Sequence, residues 1–475
     1  MARVQGHTSG LGGYDLNTKH GVLIEGALDH PNLCALEGKA LSHSPVKASS
    51  TLTELASVAA TRQLTHLWVS ANPDSYRPEA SHDEWSIKPF FTRRGDHLKT
   101  VSLIRRGSEN APRYHVNIIF PKYTAWWGND KHPGWIQGAS PIEIIGTVTY
   151  LERALGIPVA GSPGGIGWDL LKKLRPEWIE DIPVNLAKIH FTPRAACDLI
   201  WQHPRLAALV GKFKFIHKFD RAAAYPYAGS RAFIGVGTPE YKDHGRDMDP
   251  VPTSKGTYSP SKAVGVWRCS INRHEEPADL PPAWDEGDGW LVGPIINLVR
   301  AAGHKVTVHE GYVFPDKHQL LAPWSNFLWN VREQFEGKPG RCYALARKAI
   351  KQIANATIGL TAYRGFNESE QEMRRPDIRL QAVAGNREMM WHNIMEVYRL
   401  QQEAPAIVYM DAIYYLSNAE DGRAGFPILM KREGQQGGYK YEGRVSLTQE
   451  VRKKLLSEKG KNDMLAVLND EGWVL

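Results

Sequence analysis

The apolar positions of the chain follow strand-like and helix-like patterns in a definite order. Runs with strand character lie at residues 64–70, 101–104 and 115–120. From Pro141 to about residue 155 the apolar residues recur at helical spacing. Strands followed by a helix in this way predict an α/β domain that ends near residue 200.

A second unit is predicted from about residue 205 onward. Its pattern includes two loops rich in Pro, Asp and Gly, at residues 238–261 and 274–289. Strands are predicted near 213–220, 263–271, 305–314 and 406–416, and helices near 293–302, 327–335 and 341–359. No internal repeat is visible in the sequence.

A glycine-rich segment, Gly161–Gly167, precedes a short helical stretch at residues 169–174. This placement is typical of phosphate-binding loops, but the segment lacks both the GK[ST] ending and the GxGxxG spacing of those motifs. We therefore predict an ordinary loop rather than a phosphate site.

Composition narrows the class of protein. The 475 residues suffice for about three folding units, and 23% charged with 42% apolar residues is typical of globular proteins. The basic excess, 58 residues against 51 acidic ones, permits a polyanionic partner without requiring one. The four cysteines lie far apart, which argues against a zinc ribbon or a CxxC redox motif. No signal peptide or membrane-spanning run is evident, so we expect a cytoplasmic protein with no membrane partner.

The first segment with candidate chemistry runs from Lys214 to Pro226. Phenylalanines alternate with lysines and with Asp220, so Asp220 leaves the predicted strand on its lysine-bearing side. A carboxylate at a strand end, followed by a turn and by Tyr225-Pro226, suits metal coordination at the floor of a cleft. The alternative is a surface aspartate that caps a turn.

The second segment is a predicted helix from Arg341 to Gly359, with Gly359 as its stop signal. At about 100° per residue, Lys348, Lys351 and Asn355 fall on one stripe. Two ammonium groups and an amide at this spacing suit a triphosphate with its base or sugar, and Arg341 adds the chance of bidentate phosphate contacts. The alternative is a solvated face of an amphipathic helix.

The third segment, residues 406–416, is almost continuously apolar and predicts a central buried strand with Asp411 in its middle. Burial of an unpaired carboxylate costs several kcal/mol, so Asp411 should have either a partner cation or an unusual pKa. A metal ion is the simplest partner of that kind.

Taken in order, the three segments resemble the motifs of family B DNA polymerases, most of all those of the compact protein-primed phage branch. Asp220–Pro226 is similar to D-x-x-S-x-Y-P, with Ala223 in place of Ser. Lys351–Gly359 is similar to K-x-x-x-N-S-x-Y-G, with Ala356 and Ile358 in place of Ser and Tyr. Flanking segments that also resemble the family are Glu310–Phe314, Phe327–Phe335 and Gly438–Glu442. The likeness spans about residues 205–445.

The third motif departs from the family's Y-x-D-T-D-S, and two registers are open. In one, Asp411 takes the place of the second aspartate and Tyr409 that of the first, and the residues that follow fit without a gap. In the other, Asp411 takes the first place and Ile413 stands where the essential metal ligand belongs, which would leave the site inactive. We favour the first register.

The resemblance implies a multidomain right-hand polymerase of mixed α/β and α+β class that uses a two-metal mechanism. Asp220 and Asp411 would bind two Mg²⁺ (or Mn²⁺) ions about 3.5–4 Å apart, with the carbonyl of Arg221 as a further ligand. The nucleotide-binding residues that it implies are Tyr225, Arg341, Lys348, Lys351 and Asn355. The implied partners are primer-template DNA and dNTPs, with a terminal protein, a helicase or another replication protein beside them.

The resemblance also implies a division of the chain. The implied parts are an RNase H-like, exonuclease-like domain at 1–204, a palm at 205–319 and 361–445, fingers at 320–360 and a reduced thumb at 446–475. Leu67–Asn72 and Tyr14–Asn17 lack the D-x-E that proofreading needs, so we expect no exonuclease activity. In the thumb, we predict a helix from Ser446 to Lys459 with Ser446 and Gln449 as its capping pair.

Two functions from different classes remain open. The first is a DNA polymerase, specialised or priming, in a bacterium, a plasmid or a phage-infected cell. The alternative is a catalytically silent, polymerase-like scaffold that binds DNA. The presence of Asp220, Lys351, Asn355 and Asp411 favours the enzyme, and the altered third motif favours the scaffold. A nuclease is least favoured, because the N-terminal region has no carboxylate cluster with usable spacing.

Overall fold

The computed structural model describes residues 20–24, 32–37, 40–45, 51–69, 76, 85–91, 98–105, 114–128, 133–159, 161–175, 199–243, 263–272, 274–275, 277–284, 287–362, 374–457 and 464–475. The chain divides into two compact units. The first unit comprises Met1–Lys173 and Phe327–Thr357, and the second comprises Leu174–Asn326 and Ile358–Leu475. The five-part division implied by the resemblance stays a prediction.

The strands of the described residues are β1 (His20–Ile24), β2 (Asn32–Glu37), β3 (Ala40–Pro45), β4 (His66–Val69), β5 (Trp85–Phe91), β6 (Leu98–Arg105), β7 (Tyr114–Ile119), β8 (Ile200–Gln202), β9 (Phe215–Arg221), β10 (Ile234–Val236), β11 (Glu240–Asp243), β12 (Gly265–Asn272), β13 (Gly287–Val292), β14 (Lys305–Val313), β15 (Asp316–His318), β16 (Ile407–Tyr409), β17 (Ala412–Ser417) and β18 (Tyr439–Ser446).

The α-helices of the same residues are α1 (Leu52–Thr61), α2 (Pro141–Leu155), α3 (Pro163–Leu174), α4 (Leu206–Leu209), α5 (Ala224–Arg231), α6 (Gly293–Ala301), α7 (Leu321–Gln334), α8 (Arg341–Thr361), α9 (Pro376–Gln401), α10 (Gly422–Gly425), α11 (Pro427–Met430), α12 (Gln449–Leu456) and α13 (Met464–Glu471). None of these helices is both long enough and apolar enough to cross a membrane. The mixed α/β class that the sequence predicts is confirmed.

A seven-stranded mixed sheet forms the centre of the first unit. Its strand order is β3-β2-β1-β4-β7-β6-β5, with β4 parallel to both β1 and β7 and the other pairs antiparallel. The apolar stripe of α1 packs in one core with β4, β6 and β7. The sequence sets the helix starts locally, because Thr51 with Glu54 and Ser140 with Glu143 form capping boxes at α1 and α2.

Helix α3 packs closely on α8 within the first unit. A Cβ atom added at Gly167 would lie 1.8 Å from Oγ1 of Thr357 and 3.1 Å from the side chain of Ile353. The helix begins at Pro163, inside the glycine-rich segment that the sequence predicts as a loop, so that prediction is wrong for residues 163–167. The glycines are compatible with a helix here because close helix packing requires a residue without a side chain at Gly167.

A five-stranded antiparallel sheet is the centre of the second unit. Its order is β18-β9-β17-β16-β8, so β9 lies between β17 and β18. One face packs on α9 through Met390, Ile394 and Val397. The other face packs on α12 and α13. This arrangement places the ends of β9 and of the β16–β17 hairpin side by side.

A four-stranded antiparallel sheet, β11-β14-β12-β13, extends the second unit. It shares a buried core with α6 and α9. The 26-residue α9 is buried on most of its surface, which explains why sequence periodicity did not reveal it: a helix without one polar face lacks an amphipathic pattern.

Two predicted helix ends differ from the structure. Helix α12 begins after Thr448, whose side chain accepts the N–H of Val451, whereas Ser446 is the last residue of β18. Gly359 lies within α8, which continues to Thr361. Gly359 lies on an exposed face of α8, where a Cβ atom added to it would have no other atom within 4 Å.

Candidate active site

The central strand of the five-stranded sheet carries an aspartate near its end. Asp220 lies directly across from Ala412 on β17 and from Lys440 on β18. Because side chains alternate along a strand, Asp220 shares a face of the sheet with Ile216 and Lys218. Its side chain is half-buried. The predicted strand and the predicted position of Asp220 near its end therefore agree with the structure.

Asp411 lies in the turn of the β16–β17 hairpin. Tyr409 pairs with Ala412, so Met410 and Asp411 form a two-residue turn. Met410 has a φ of 58°, in the left-handed region that such turns use and that costs a residue with a side chain about 1–2 kcal/mol. The N–H of Arg221 donates to the carbonyl oxygen of Asp411 at 3.1 Å. The prediction of one continuous strand with Asp411 in its middle is therefore wrong.

Asp220 and Asp411 come together where the end of β9 meets the β16–β17 hairpin, because Ala412, the neighbour of Asp411, pairs with Asp220, and the N–H of Arg221 binds the carbonyl oxygen of Asp411. Burial raises the pKa of Tyr414, and the negative charges of Asp220, Glu442 and Asp411 raise it further. Burial likewise raises the pKa of Tyr439, and Asp411 and Asp220 act in the same direction. The charges of both carboxylates therefore act on the hydroxyl groups of these two tyrosines. We call Asp220 and Asp411 the acidic pair.

A buried guanidinium lies beside the acidic pair. Arg221 is only 4% exposed. Its Nε donates to the carbonyl oxygen of Gly437 at 2.9 Å, and its terminal nitrogen donates to Oδ1 of Asn386 at 3.4 Å. Burial lowers the pKa of Arg221, while neighbouring tyrosines and Asp411 raise it. This side chain therefore connects β9 with α9 and with the turn before β18.

The turn before β18 requires glycine. Gly437 has a φ of 76°, and a Cβ added there would lie 2.1 Å from the ring of Tyr227. The N–H of Gly437 donates to the carbonyl oxygen of Ala222 at 2.8 Å, and the N–H of Ala222 donates to Gly438 at 2.9 Å. These contacts join the turn to the chain that follows Asp220.

Two lysines and a glutamate lie on the same face of the sheet as Asp220. Nζ of Lys218 lies 2.9 Å from a carboxylate oxygen of Glu442, and Nζ of Lys440 lies 3.6 Å from the other oxygen. Lys440, opposite Asp220, has a side chain that is 65% exposed. A cation is therefore available to a ligand at this end of the sheet.

Tyr225 is the second residue of the short helix α5, which follows Asp220 in the chain. The residue before this helix, Ala223, has a left-handed backbone with a φ of 52°. Tyr225 is half-buried and packs against the core of the four-stranded sheet. Ser325 Oγ donates to the carbonyl oxygen of Pro226 at 2.9 Å, which fixes α5 against the start of α7.

The basic residues of the second predicted segment lie in the first unit, on α8. The exposed stripe of this helix, here called the basic face, comprises Arg341, Lys348, Lys351 and Asn355. The opposite side, with Ala349, Ile350 and Ile353, is buried. The stripe predicted from the sequence is therefore present and exposed.

Arg341 is engaged within the first unit. Its guanidinium donates to the carbonyl oxygen of Gly138 at 2.6 Å and lies 3.4 Å from Oε1 of Glu143. These contacts fix the start of α8 to α2. Arginine has five N–H donors, so donors other than these two can serve a ligand.

The acidic pair has the donor set that suits a magnesium ion. Carboxylate and carbonyl oxygens are the ligands that Mg²⁺ takes, and Mg²⁺ is commonly bound by one or two carboxylates together with water and substrate phosphates. Among the residues that the structure describes, no group of three or more His, Cys, Asp or Glu side chains is arranged to bind a metal. A Mg²⁺ site made of two carboxylates, with substrate oxygens as the remaining ligands, is compatible with this arrangement.

Sequence reasoning missed the side chains of Arg221, Lys440 and Glu442 at this site. The only available signal was their position beside the motifs. Their contacts depend on which strands pair, and β18 joins β9 across more than 200 residues of chain, which no local pattern reveals.

Comparison with known proteins found matches among solved structures only. No family model matches the chain, and no curated protein sequence matches it. Phi29 DNA polymerase in a post-translocation complex with primer-template DNA matches with a TM-score of 0.54 at 12% identity, over 90% of this chain and 84% of that chain. The ternary complex of phi29 DNA polymerase with primer-template DNA and incoming nucleotides matches with a TM-score of 0.54 at 12% identity, over 90% of this chain and 85% of that chain. The complex of phi29 DNA polymerase with single-stranded DNA matches with a TM-score of 0.52 at 13% identity, over 90% of this chain and 84% of that chain.

This chain has the fold of a family B DNA polymerase, as its motifs suggested. One polymerase whose fold it shares is phi29 DNA polymerase. At 12–13% identity, the similarity establishes the fold alone.

Proposed function

We propose that the protein is a DNA polymerase that transfers a nucleotide from a dNTP to the 3′-hydroxyl of a primer. The observation that carries this proposal is the acidic pair in a phi29-type polymerase fold, with Asp220 near the end of β9 and Asp411 in the turn next to the neighbouring strand β17. In this proposal the five-stranded sheet serves as the palm, and the substrates are primer-template DNA and dNTPs. A terminal protein, a helicase or another replication protein would act with it.

Asp220, Asp411 and the carbonyl oxygen of Arg221 would bind the Mg²⁺ or Mn²⁺ ions. When bound, such ions polarise the transferred phosphoryl group and activate the attacking hydroxyl. The two carboxylates would hold these ions at the end of β9, where the exposed ammonium group of Lys440 lies on the same face of the sheet as Asp220. The backbone N–H of Arg221 fixes the carbonyl of Asp411, and the buried Arg221 side chain supports this strand end without contacting the substrate.

The hairpin supports the register in which Asp411 is the second aspartate of the third motif. Ile413 is completely buried and pairs with Phe219. A carboxylate at this position would therefore carry the free-energy cost of burying a charge. Asp411 is half-buried at the turn, beside Asp220. In this register Tyr409, which is 40% exposed, occupies the place of the first aspartate.

Residues of the basic face would bind the incoming nucleotide. Lys351 and Lys348 would neutralise the triphosphate, with Arg341 as a further donor. Asn355 would contact the nascent base pair. Tyr225 would pack against the sugar and exclude a 2′-hydroxyl.

We also propose that the first unit does not proofread. The strand that the sheet order places between β2 and β4 is β1, with the sequence His-Gly-Val-Leu-Ile. It contains no carboxylate, whereas the D-x-E of proofreading domains lies on the first strand. The first unit would instead support DNA binding.

Primer extension tests the proposal. The full chain is incubated with a primed template, dNTPs and Mg²⁺ or Mn²⁺, beside Asp220→Asn, Asp411→Asn and the control Asp288→Asn, an exposed aspartate on β13. We expect extension by the wild type and the control and none by the other two. No extension by the wild type with either metal, together with retained DNA binding, would contradict the proposal and leave the silent scaffold.

A further inference from the structure

The helix that carries the basic face lies in the first compact unit. That unit joins Phe327–Thr357 with Met1–Lys173. Most of α8, including Lys348, Lys351 and Asn355, therefore shares a unit with the seven-stranded sheet. The contacts that α8 makes inside this unit determine how its basic face is positioned.

The first turns of α8 pack closely on α2. Oγ1 of Thr147 donates to the carbonyl oxygen of Cys342 at 3.4 Å. A Cβ atom added at Gly146 would lie 2.9 Å from Sγ and 3.7 Å from Cβ of Cys342, so the two helices approach this closely because residue 146 has no side chain. The rings of Tyr150 and Tyr343 stack with their centroids 4.8 Å apart and an interplanar angle of 16°.

The middle and the end of α8 are held by other parts of the first unit. Nε2 of Gln352 donates to the carbonyl oxygen of Ala125 at 2.6 Å. Oγ1 of Thr357 lies 3.5 Å from the carbonyl oxygen of Gly164 at the start of α3. The contacts at Cys342 and at Thr357 are separated by about 22 Å of helix, so α8 is held over most of its length.

The buried side of α8 consists of small and apolar side chains. Ala346, Ala349 and Ile353 are completely buried and recur at spacings of three and four. Ile353 lies next to Gly167 of α3. Because closely packed side chains do not deform continuously, a shift of α8 along α2 or α3 would create overlaps on one side and voids on the other.

We propose that the first unit holds α8 as part of one rigid body, so that α8 does not move separately from the seven-stranded sheet during nucleotide insertion. This role rests on the proposed function, in which the basic face binds the incoming dNTP. The first unit then positions the ammonium groups of Lys348 and Lys351, a task that needs no carboxylates. Groups that are held in place before the ligand binds lose less entropy on binding.

A disulfide between α2 and α8 tests this role. The variant Gly146→Cys has its new Cβ atom 3.7 Å from Cβ of Cys342, within the range of about 3.5–4.5 Å that disulfides have. Gly146→Ser is the matched control, because serine has nearly the same size and forms no disulfide. The full chain is oxidised, the bond to Cys342 is mapped by peptide mass spectrometry, and single-turnover insertion of one dNTP is measured before and after reduction.

We expect the oxidised and the reduced Gly146→Cys protein to insert the nucleotide at the same rate as Gly146→Ser, because the bond joins parts that do not separate. Conformational steps limit the rate of many enzymes, so a bond that blocked a required movement of α8 would slow insertion. A slower rate in the oxidised protein that reduction reverses would overturn the proposal.

The stacked tyrosines give a second readout. Tyr150→Ala should raise the KM for dNTP by about two- to tenfold with little change in kcat, because an aromatic pair contributes a factor of that size to an equilibrium. Tyr150→Phe, which keeps the ring, is the matched control. The disulfide of Gly146→Cys should restore the KM in Tyr150→Ala. An unchanged KM in Tyr150→Ala, or a raised KM that the disulfide does not restore, would contradict positioning by the first unit.

Native-state hydrogen exchange of the ligand-free wild type tests the rigid body without polymerase activity. Amides of α8 between Ala346 and Ile353 should open with the same free energy and the same dependence on denaturant as the buried amides of α2, as parts of one cooperative unit do. A clearly lower free energy of opening in α8 would overturn the proposal, even if the Gly146→Cys protein did not fold. If the wild type inserts no nucleotide with either metal, the proposed function fails, and the exchange measurement still decides whether α8 and the first unit form one body.

Discussion

Among single residues, Arg221 has the most consequential contacts at the acidic pair. Its backbone N–H binds the carbonyl of Asp411, and its side chain binds Gly437 and Asn386. Its guanidinium lies over the rings of Tyr227 and Tyr439. Because a lysine cannot reproduce a planar set of donors, the charge alone is not a substitute for this residue.

We expect Arg221→Lys to weaken extension through the metal rather than through the nucleotide. Loss of the contacts to Gly437 and Asn386 loosens the end of β9, whose backbone binds the turn that carries Asp411, and changes of supporting residues typically cost about 10–100-fold in metal affinity or activity. The Mg²⁺ concentration for half-maximal extension should rise about tenfold, with little change in the KM for dNTP. Arg231→Lys, at an exposed arginine of α5, is the control. A raised KM for dNTP at unchanged Mg²⁺ dependence would contradict this role.

Glu388 on α9 gives a prediction about pH. Burial raises the pKa of Glu388 to about 7 from its usual 4.5. Its folded-state pKa lies above its unfolded value, so stability is full below pH 4.5 and is lost as the pH rises from there through about 7. Glu388→Gln removes the charge and should stabilise the protein at pH 8 by up to about 3 kcal/mol, with no gain near pH 4.

Urea unfolding at the two pH values measures this effect. Glu333→Gln, at an exposed glutamate on α7, is the matched control. An equal gain for Glu388→Gln at pH 4 and pH 8 would mean that packing, rather than ionisation, causes it.

At the scale of elements, the contact of α3 with α8 predicts opposite effects of two Gly→Ala changes. Gly167→Ala should destabilise the protein by about 1–3 kcal/mol, because the new Cβ overlaps Thr357. Gly359→Ala on α8 meets no atom within 4 Å and should stabilise it by about 0.5–1 kcal/mol through helix propensity. Urea unfolding measures both changes. Loss of stability in Gly359→Ala, or none in Gly167→Ala, would contradict this packing.

The basic face of α8 predicts the nucleotide kinetics. Lys351→Ala should raise the KM for dNTP by about tenfold or more, because an ammonium–phosphate contact is a strong charge-assisted hydrogen bond. Lys305→Ala, at an exposed lysine on β14, is the matched control and should leave the KM unchanged. Steady-state extension with increasing dNTP provides the measurement, and an unchanged KM in Lys351→Ala would remove this lysine from the nucleotide site.

Elements with one buried and one exposed side could be predicted from the sequence. The basic face of α8 and the strand that ends near Asp220 both follow from periodicity. The hairpin at Asp411 could not, because it depends on a left-handed backbone at Met410, a residue type that gives no turn signal. The start of α3 at Pro163 was missed because its glycines are explained only by the neighbouring helix.

At the scale of the whole molecule, the order of the motifs along the chain predicted the fold that the structure shares with phi29 DNA polymerase. Composition and net charge could not have predicted this fold, because a net charge of +7 is compatible with many folds and partners. The pairing of β9 with β17 and β18 joins residues that are far apart in the chain, and it is this pairing that brings the acidic pair together.

The most direct test of the central claim is a double-mutant cycle on the acidic pair. Single-turnover insertion of one dNTP is measured for the wild type, Asp220→Asn, Asp411→Asn and the double variant. Residues that act as one unit are strongly non-additive, so each single change should cost roughly 10³-fold or more and the double change little beyond that. If Asp411→Asn inserts at nearly the wild-type rate, or if the two losses multiply, the acidic pair is not the catalytic centre of a polymerase.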